Sequence, residues 1–113
     1  MEPAMPAIKD FASVCRSKNA GPFMVTLDIV FETDEIYDRV AATGVLTPAL
    51  FARLYGVKPE QVQFTPYRAA RAFKATLPRL ISSGDIGDTD VYGSQQHAPM
   101  LDIDIPIELE NTR

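Results

Sequence analysis

Nine residues between a Gly-Pro break and a capping threonine constrain this chain more than any other segment. Phe23, Val25, Leu27, Ile29 and Phe31 alternate with Met24, Thr26, Asp28 and Val30, a period of two that belongs to a strand with one buried face. The odd positions are expected to face a core. Asp28 then falls on the opposite side beside Met24 and Val30, so that side is expected to be partly covered too. A strand of this kind needs neighbouring strands and a layer of helix over its apolar face.

Two helices follow from their end signals. Thr33 is the expected N-cap of the first, with Asp34 and Glu35 in the first turn, where acid groups meet the positive helix end. Ile36, Tyr37 and Val40 supply its apolar side, and Gly44 ends it. Thr47-Pro48 opens the second, with proline at the first helical position. Leu50, Phe51 and Leu54 are its buried side, and Gly56 its end. Val57 to Glu60 then read as a turn and Val62, Phe64 and Pro66 as a short strand. Ile8 to Val14 form another short strand, followed by a polar loop from Cys15 to Pro22. Residues 67–77 are rich in alanine, arginine and lysine, which predicts a third helix stopped by Pro78. Residues 82–99 form a long polar loop of a length that is usually functional or ordered by a partner. Leu101, Ile103, Ile105 and Ile107 alternate with Asp102, Asp104 and Pro106, which predicts a last strand, with Pro106 marking an edge or an end.

The expected order is strand, strand, helix, helix, strand, helix, long loop, strand. It points to an α+β fold: a two-layer sandwich with a mainly antiparallel sheet, of ferredoxin-like general type, with helices on one face. The expected organisation is a frayed end over residues 1–6 and one domain over residues 7–110, the usual size for a chain of 113 residues. A net charge of -4 argues against nucleic acid as a partner, because phosphate neutralisation needs a basic surface. No apolar run approaches the ~20 residues that span a bilayer, so no membrane association is expected. The start lacks the pattern of a signal peptide, and the one cysteine, Cys15, fits a reducing compartment; the cytoplasm is the expected location. No cofactor is expected.

The residues able to carry chemistry fall in the two polar stretches. In the first, Arg16, Ser17, Lys18, Asn19 and Gly21 combine two cations with backbone amides, which suits a carboxylate or phosphate; the competing reading is a solvated loop whose charges meet acids elsewhere. Cys15 beside these cations has the character of a nucleophile or, in the favoured reading, of a small buried apolar residue. In the second, Asp85, Asp88 and Asp90 offer oxygen ligands at spacings unlike a calcium loop, so no metal is expected. Asp90, Tyr92, Gln95, Gln96 and His97 suit recognition of a polar ligand, and His97 and Asp88 are the candidates for proton transfer. Arg68, Arg71 and Lys74 recur every three residues, a basic stripe that is either a solvated face or a docking surface for an acidic partner.

Two runs carry a family resemblance. Val14-Cys15-Arg16-Ser17-Lys18-Asn19-Ala20-Gly21-Pro22-Phe23, continuing into Thr26-Leu27-Asp28-Ile29, resembles the opening signature of a small bacterial family, domain of unknown function four-three-eight-seven. Asp88-Thr89-Asp90-Val91-Tyr92-Gly93-Ser94-Gln95-Gln96-His97-Ala98-Pro99 is similar to its second signature. That family resembles the ferredoxin-fold C-terminal domain of acyclic terpene utilisation A-like (AtuA-like) proteins, in which an Arg-Ser-Gly-Asp-Lys-Gly loop precedes the matching strand. The present chain keeps Arg16-Ser17 and Lys18 but continues with Asn19-Ala20-Gly21. The resemblance implies an accessory subunit that completes a larger AtuA-like protein and lends its polar loops to a shared site for a small carboxylate or an acyl-CoA. Two other readings stand beside it. One is a homo-oligomeric enzyme of lyase/hydratase or isomerase type, with Arg16 and Lys18 holding a carboxylate while His97 or Asp88 moves protons. The other is a homo-oligomeric binding module without catalysis.

Overall fold

The computed structural model describes residues 6–79 and 98–107. The strand read from period two is present as β2 (Met24–Phe31), with Val25, Leu27, Ile29 and Phe31 buried. Beside it lies β1 (Ala12–Asn19), joined by a tight turn in which the Ala20 N–H donates to the Met24 carbonyl at 2.9 Å. Gly21 sits in that turn at φ +86°, a left-handed conformation that glycine adopts without steric cost. On the other side of β2 runs β4 (Ala72–Pro78), and β3 (Gln63–Tyr67) closes the sheet in the order β1-β2-β4-β3, every pair antiparallel.

The helices form where their caps place them. α2 (Asp34–Ala42) starts at Thr33, whose hydroxyl accepts from the Ile36 N–H at 3.1 Å; α3 (Pro48–Tyr55) starts at Thr47, which accepts from Leu50 N–H at 3.1 Å. Gly56 ends α3 at φ +69°. Replacing Thr47 with alanine removes a partner for an otherwise orphaned helix amide and is expected to cost about 1 kcal/mol. Urea denaturation checks this, and Thr47→Ser should retain most of the stability.

Tyr37, Val40, Phe51 and Ala52 from these helices meet Val25, Leu27, Ile29, Phe31, Phe73, Ala75 and Leu77 from the sheet in one core. The result is the two-layer α+β sandwich, with an antiparallel sheet and helices on one face. Both helices lie in the single connection between the β1–β2 and β3–β4 hairpins.

Four local expectations are corrected. Ile8 to Val14 is not one strand: Ile8–Phe11 forms a single helical turn, α1, and the chain enters β1 at Ala12. Ile8 and Phe11 are both buried, a spacing of three that a strand would place on opposite faces. The stretch from Cys15 is strand as far as Asn19, so only residues 20–23 form the loop, and Phe23 is two-thirds exposed at its end.

The third correction is the largest: residues 67–77 are not a helix. Tyr67 ends β3, Arg68–Ala70 makes a 3-10 turn, Arg71 takes a left-handed conformation at φ 53°, and Ala72 begins β4. Helix propensity is a weak prior that tertiary packing overrides. Phe73, Ala75 and Leu77 alternate, and each fills a place opposite β2 in the core. Fourth, the terminal alternation forms no strand. Ala98–Asp102 is a 3-10 turn, and the following residues make a single bridge between Ala7 and Asp104. Ile103 and Ile105 are buried nonetheless, while Leu101 and Ile107 are half-buried.

With that helix gone, the basic stripe is dispersed. Arg68 donates to both Asp38 carboxylate oxygens, at 2.9 and 2.8 Å, from the β3–β4 turn to α2. Arg71 Nη1 donates to the Glu32 carbonyl at 2.6 Å and its Nε lies 3.8 Å from Asp34. Lys74 alone stands within β4. Arg68 holds the Asp38 carboxyl below its ordinary range, chiefly by hydrogen bonding. A carboxyl whose folded-state pKa is depressed stabilises the fold above its unfolded-state pKa, and loses that contribution as pH falls through the folded value. Asp38→Asn is therefore expected to lower the urea midpoint slightly at neutral pH and to match the parent below the ordinary carboxylate range. The pair is exposed, so the effect is small.

Candidate functional site

Antiparallel register sorts the first signature onto two faces of the sheet, because residues directly opposite one another share a face. Cys15, Ser17 and Asn19 stand opposite Ile29, Leu27 and Val25 and point to the helix side. Val14, Arg16 and Lys18 stand opposite Val30, Asp28 and Thr26 and point away from it. The two cations expected to share an anion with Ser17 and Asn19 are thus separated from them by the sheet. Gly21 lies apart, in the β1–β2 turn.

On the helix side the signature residues continue into a polar strip. Ser17 is buried, and Asn19 Oδ1 accepts from Arg79 Nη1 at 2.7 Å. Arg79, just past β4, is itself buried and donates its N–H to the Phe23 carbonyl at 2.9 Å. Cys15 is half-buried, and burial pushes its thiol above the ordinary value. Tyr55, at the end of α3, is pushed up too, by burial first and then by proximity to Cys15. A thiol held protonated in this way is a poor nucleophile, in line with the small apolar reading of Cys15.

The opposite face is a set of cross-strand rows spanning all four strands. Val14, Val30, Ala72 and Tyr67 form one; Arg16, Asp28, Lys74 and Thr65 the next; Lys18, Thr26, Thr76 and Gln63 a third. In the middle row Arg16 Nε donates to Asp28 Oδ2 at 3.1 Å. In the third, the Thr26 and Thr76 hydroxyls are hydrogen-bonded at 3.0 Å. The Lys74 ammonium lies 5.8 Å from the centre of the Tyr67 ring, within the range of a cation–π contact. No described helix packs over these rows. Val14 and Tyr67, at their outer ends, are among the three exposed large hydrophobic side chains of the described residues, with Phe23.

Lys74, Thr76 and Tyr67 were not legible as members of a surface with Arg16 and Lys18, because the helix expected over 67–77 hid their partnership. The signal was present as the alternation of Lys74 and Thr76 with Phe73, Ala75 and Leu77. Arg79 and Tyr55 carried no sequence signal. The candidates Asp85, Asp88, Asp90, Tyr92, Gln95, Gln96 and His97 lie outside the described residues. Among the described residues no group of three His, Cys, Asp or Glu side chains is placed to hold a metal ion, and no helix is long and apolar enough to cross a membrane.

The model of the family described as domain of unknown function (DUF4387) matches residues 8–104. That span takes in both signature runs and all four strands. The chain belongs to this family. The family's span reaches from α1 to Asp104, so the bridge between Ala7 and Asp104 falls at its two limits. No curated protein and no solved structure matches the chain.

Proposed function

We propose that the chain is an accessory subunit that docks the open face of its sheet on a larger, AtuA-like protein in the bacterial cytoplasm. Docked there, it lends the two signature runs to a shared site for a small carboxylate or an acyl-CoA. The observation that carries this reading is that, among the described residues, no helix covers this face. A sheet is stable with one face solvated, but a solvated face is ordinarily dominated by charged and polar positions. This one keeps an apolar row beside the charged one, in which Val14 and Tyr67 are exposed, Val30 is half-buried and Ala72 is buried between them. Rows of this kind, rimmed by polar groups, are where proteins meet partners. The relationship to AtuA-like proteins rests on the sequence resemblance, and so does the shared site.

Co-expression with the products of neighbouring genes tests the reading. The chain is expected to co-elute with one of them. Thr76→Trp, a neutral bulky change at the centre of the open face, should weaken that complex by about tenfold or more, equivalent to ~1.4 kcal/mol, while leaving the circular dichroism spectrum unchanged. Elution of the chain alone beside every neighbour contradicts the proposal.

A further inference from the structure

Which partner the open face fits follows from its charge, given the docking reading above. The strand positions of this face carry three cations, Arg16, Lys18 and Lys74, against one carboxylate, Asp28. The chain as a whole has the opposite balance, 15 acidic to 11 basic residues. Elsewhere on the described surface Lys9 meets Asp102, Arg68 meets Asp38 and Arg71 meets Asp34. On the open face Arg16 alone is matched, by Asp28. Lys18 and Lys74 have no carboxylate partner among the described residues, and they lie in adjacent rows on the same side of the sheet.

A second copy of the chain does not complement this pattern. Two copies meeting face to face across a two-fold axis would set the same patch against itself, bringing together two surfaces that each carry three cations to one carboxylate. Like charges juxtaposed in an interface are a device for rejecting a partner. Nucleic acid fits no better. Single-stranded binders stack bases on aromatic rings presented by the central strands of a sheet. Here the central strands present Thr26, Asp28 and Val30 from β2 and Ala72, Lys74 and Thr76 from β4. The one ring on this face, Tyr67, sits on edge strand β3 with Lys74 near it, and Asp28 would face a phosphate backbone.

We propose that the open face binds an acidic surface of a different protein, with Lys18 and Lys74 as its charge anchors and Val14 and Tyr67 as apolar margins. Such a pairing leaves the aliphatic stems of both lysines against the sheet while their ammonium groups reach carboxylates.

The experiment uses the full chain, an oligoglutamate peptide as probe, and amide chemical shifts as the readout, with oligolysine and oligouridylate as comparison ligands. Oligoglutamate is expected to shift the resonances of Thr26, Lys74 and Thr76, to lose affinity as salt rises, and to bind at least about tenfold more weakly to K18E/K74E. K18Q/K74Q, which removes charge without reversing it, should lie between, so that a folding defect in the reversal variant does not decide the outcome. Tighter binding of oligouridylate than of oligoglutamate at these residues overturns the proposal. So does a concentration-dependent dimer, seen by sedimentation, that buries this face. A complex with the larger protein that is lost in Thr76→Trp yet indifferent to K18E/K74E overturns it too, leaving the docking reading intact. Indifference to both sets of variants removes the docking reading itself.

Discussion

Replacing Phe73 with alanine is expected to destabilise the fold by about 3–5 kcal/mol, the range for removing a fully buried ring. The ring is the hub of an aromatic cluster. It stacks on Tyr37 from α2, with centroids 4.7 Å apart and planes at 16°, and on Phe64 from β3, at 5.9 Å and 13°. Phe31 from β2 meets it edge-on at 6.0 Å and 86°. The substitution therefore loosens the contact between the sheet and α2 as well as that between β4 and its two neighbours. Small domains are stable by roughly 5–15 kcal/mol, so the variant should unfold at a much lower urea midpoint, with an unchanged slope if the transition stays two-state. Lys74→Ala next door points to the open face and should fall within about 0.5 kcal/mol of the parent. This pair of variants reads out the alternation of β4 directly. Equal costs at the two positions would contradict the strand.

The second large effect is expected at the far end of the described chain. Ile105 is fully buried, and its N–H donates to the Pro6 carbonyl at 2.8 Å. Two residues earlier the Ile103 carbonyl accepts from the Ile8 N–H at 2.8 Å. This segment and the residues around α1 hold one another in place, and both send side chains into the same core. Ile105→Ala keeps the backbone bonds and deletes only the side chain, so its expected cost of about 2–5 kcal/mol is a transfer and cavity term. A cost under about 1 kcal/mol would show that the segment packs loosely and that the core closes without it.

Elements whose reasons are local were legible in the sequence. Thr33 and Thr47 cap their helices because a hydroxyl one residue ahead of the first turn reaches an orphaned amide. Gly56 ends α3 because it takes a left-handed conformation. β2 was legible because every second residue is buried under helices. Residues 67–77 were misread because alanine, arginine and lysine carry a local helix preference, whereas the demand on Ala75 comes from Leu27 and Phe64, its neighbours across the sheet. The terminal alternation does mark Ile103 and Ile105, which are buried, but it does not reveal a 3-10 turn followed by a single bridge, since the backbone partners lie at the other end of the chain. The same holds for the candidate site. Arg16 and Lys18 were recognised as cations on a signature run, but whether they share a face with Asn19 or with Lys74 is fixed by strand register, and register is a tertiary property. Of the residues that faced the helices, Ser17 proved to be buried and Asn19 to be tied to Arg79, a residue without any pattern to mark it.

The account rests on the open sheet face being the docking surface, and the chain's four lysines provide a direct measurement. Lys18 and Lys74 lie on that face; Lys9 lies on α1 and Lys58 ahead of the 3-10 turn Pro59–Gln61, neither on a strand of the sheet. Acetylation by a water-soluble succinimidyl ester, followed residue by residue by mass spectrometry, should label all four in the free chain. In the complex with the larger protein, Lys18 and Lys74 should be protected while Lys9 and Lys58 stay reactive. Protection of Lys9 or Lys58 with Lys18 and Lys74 fully labelled would contradict the account.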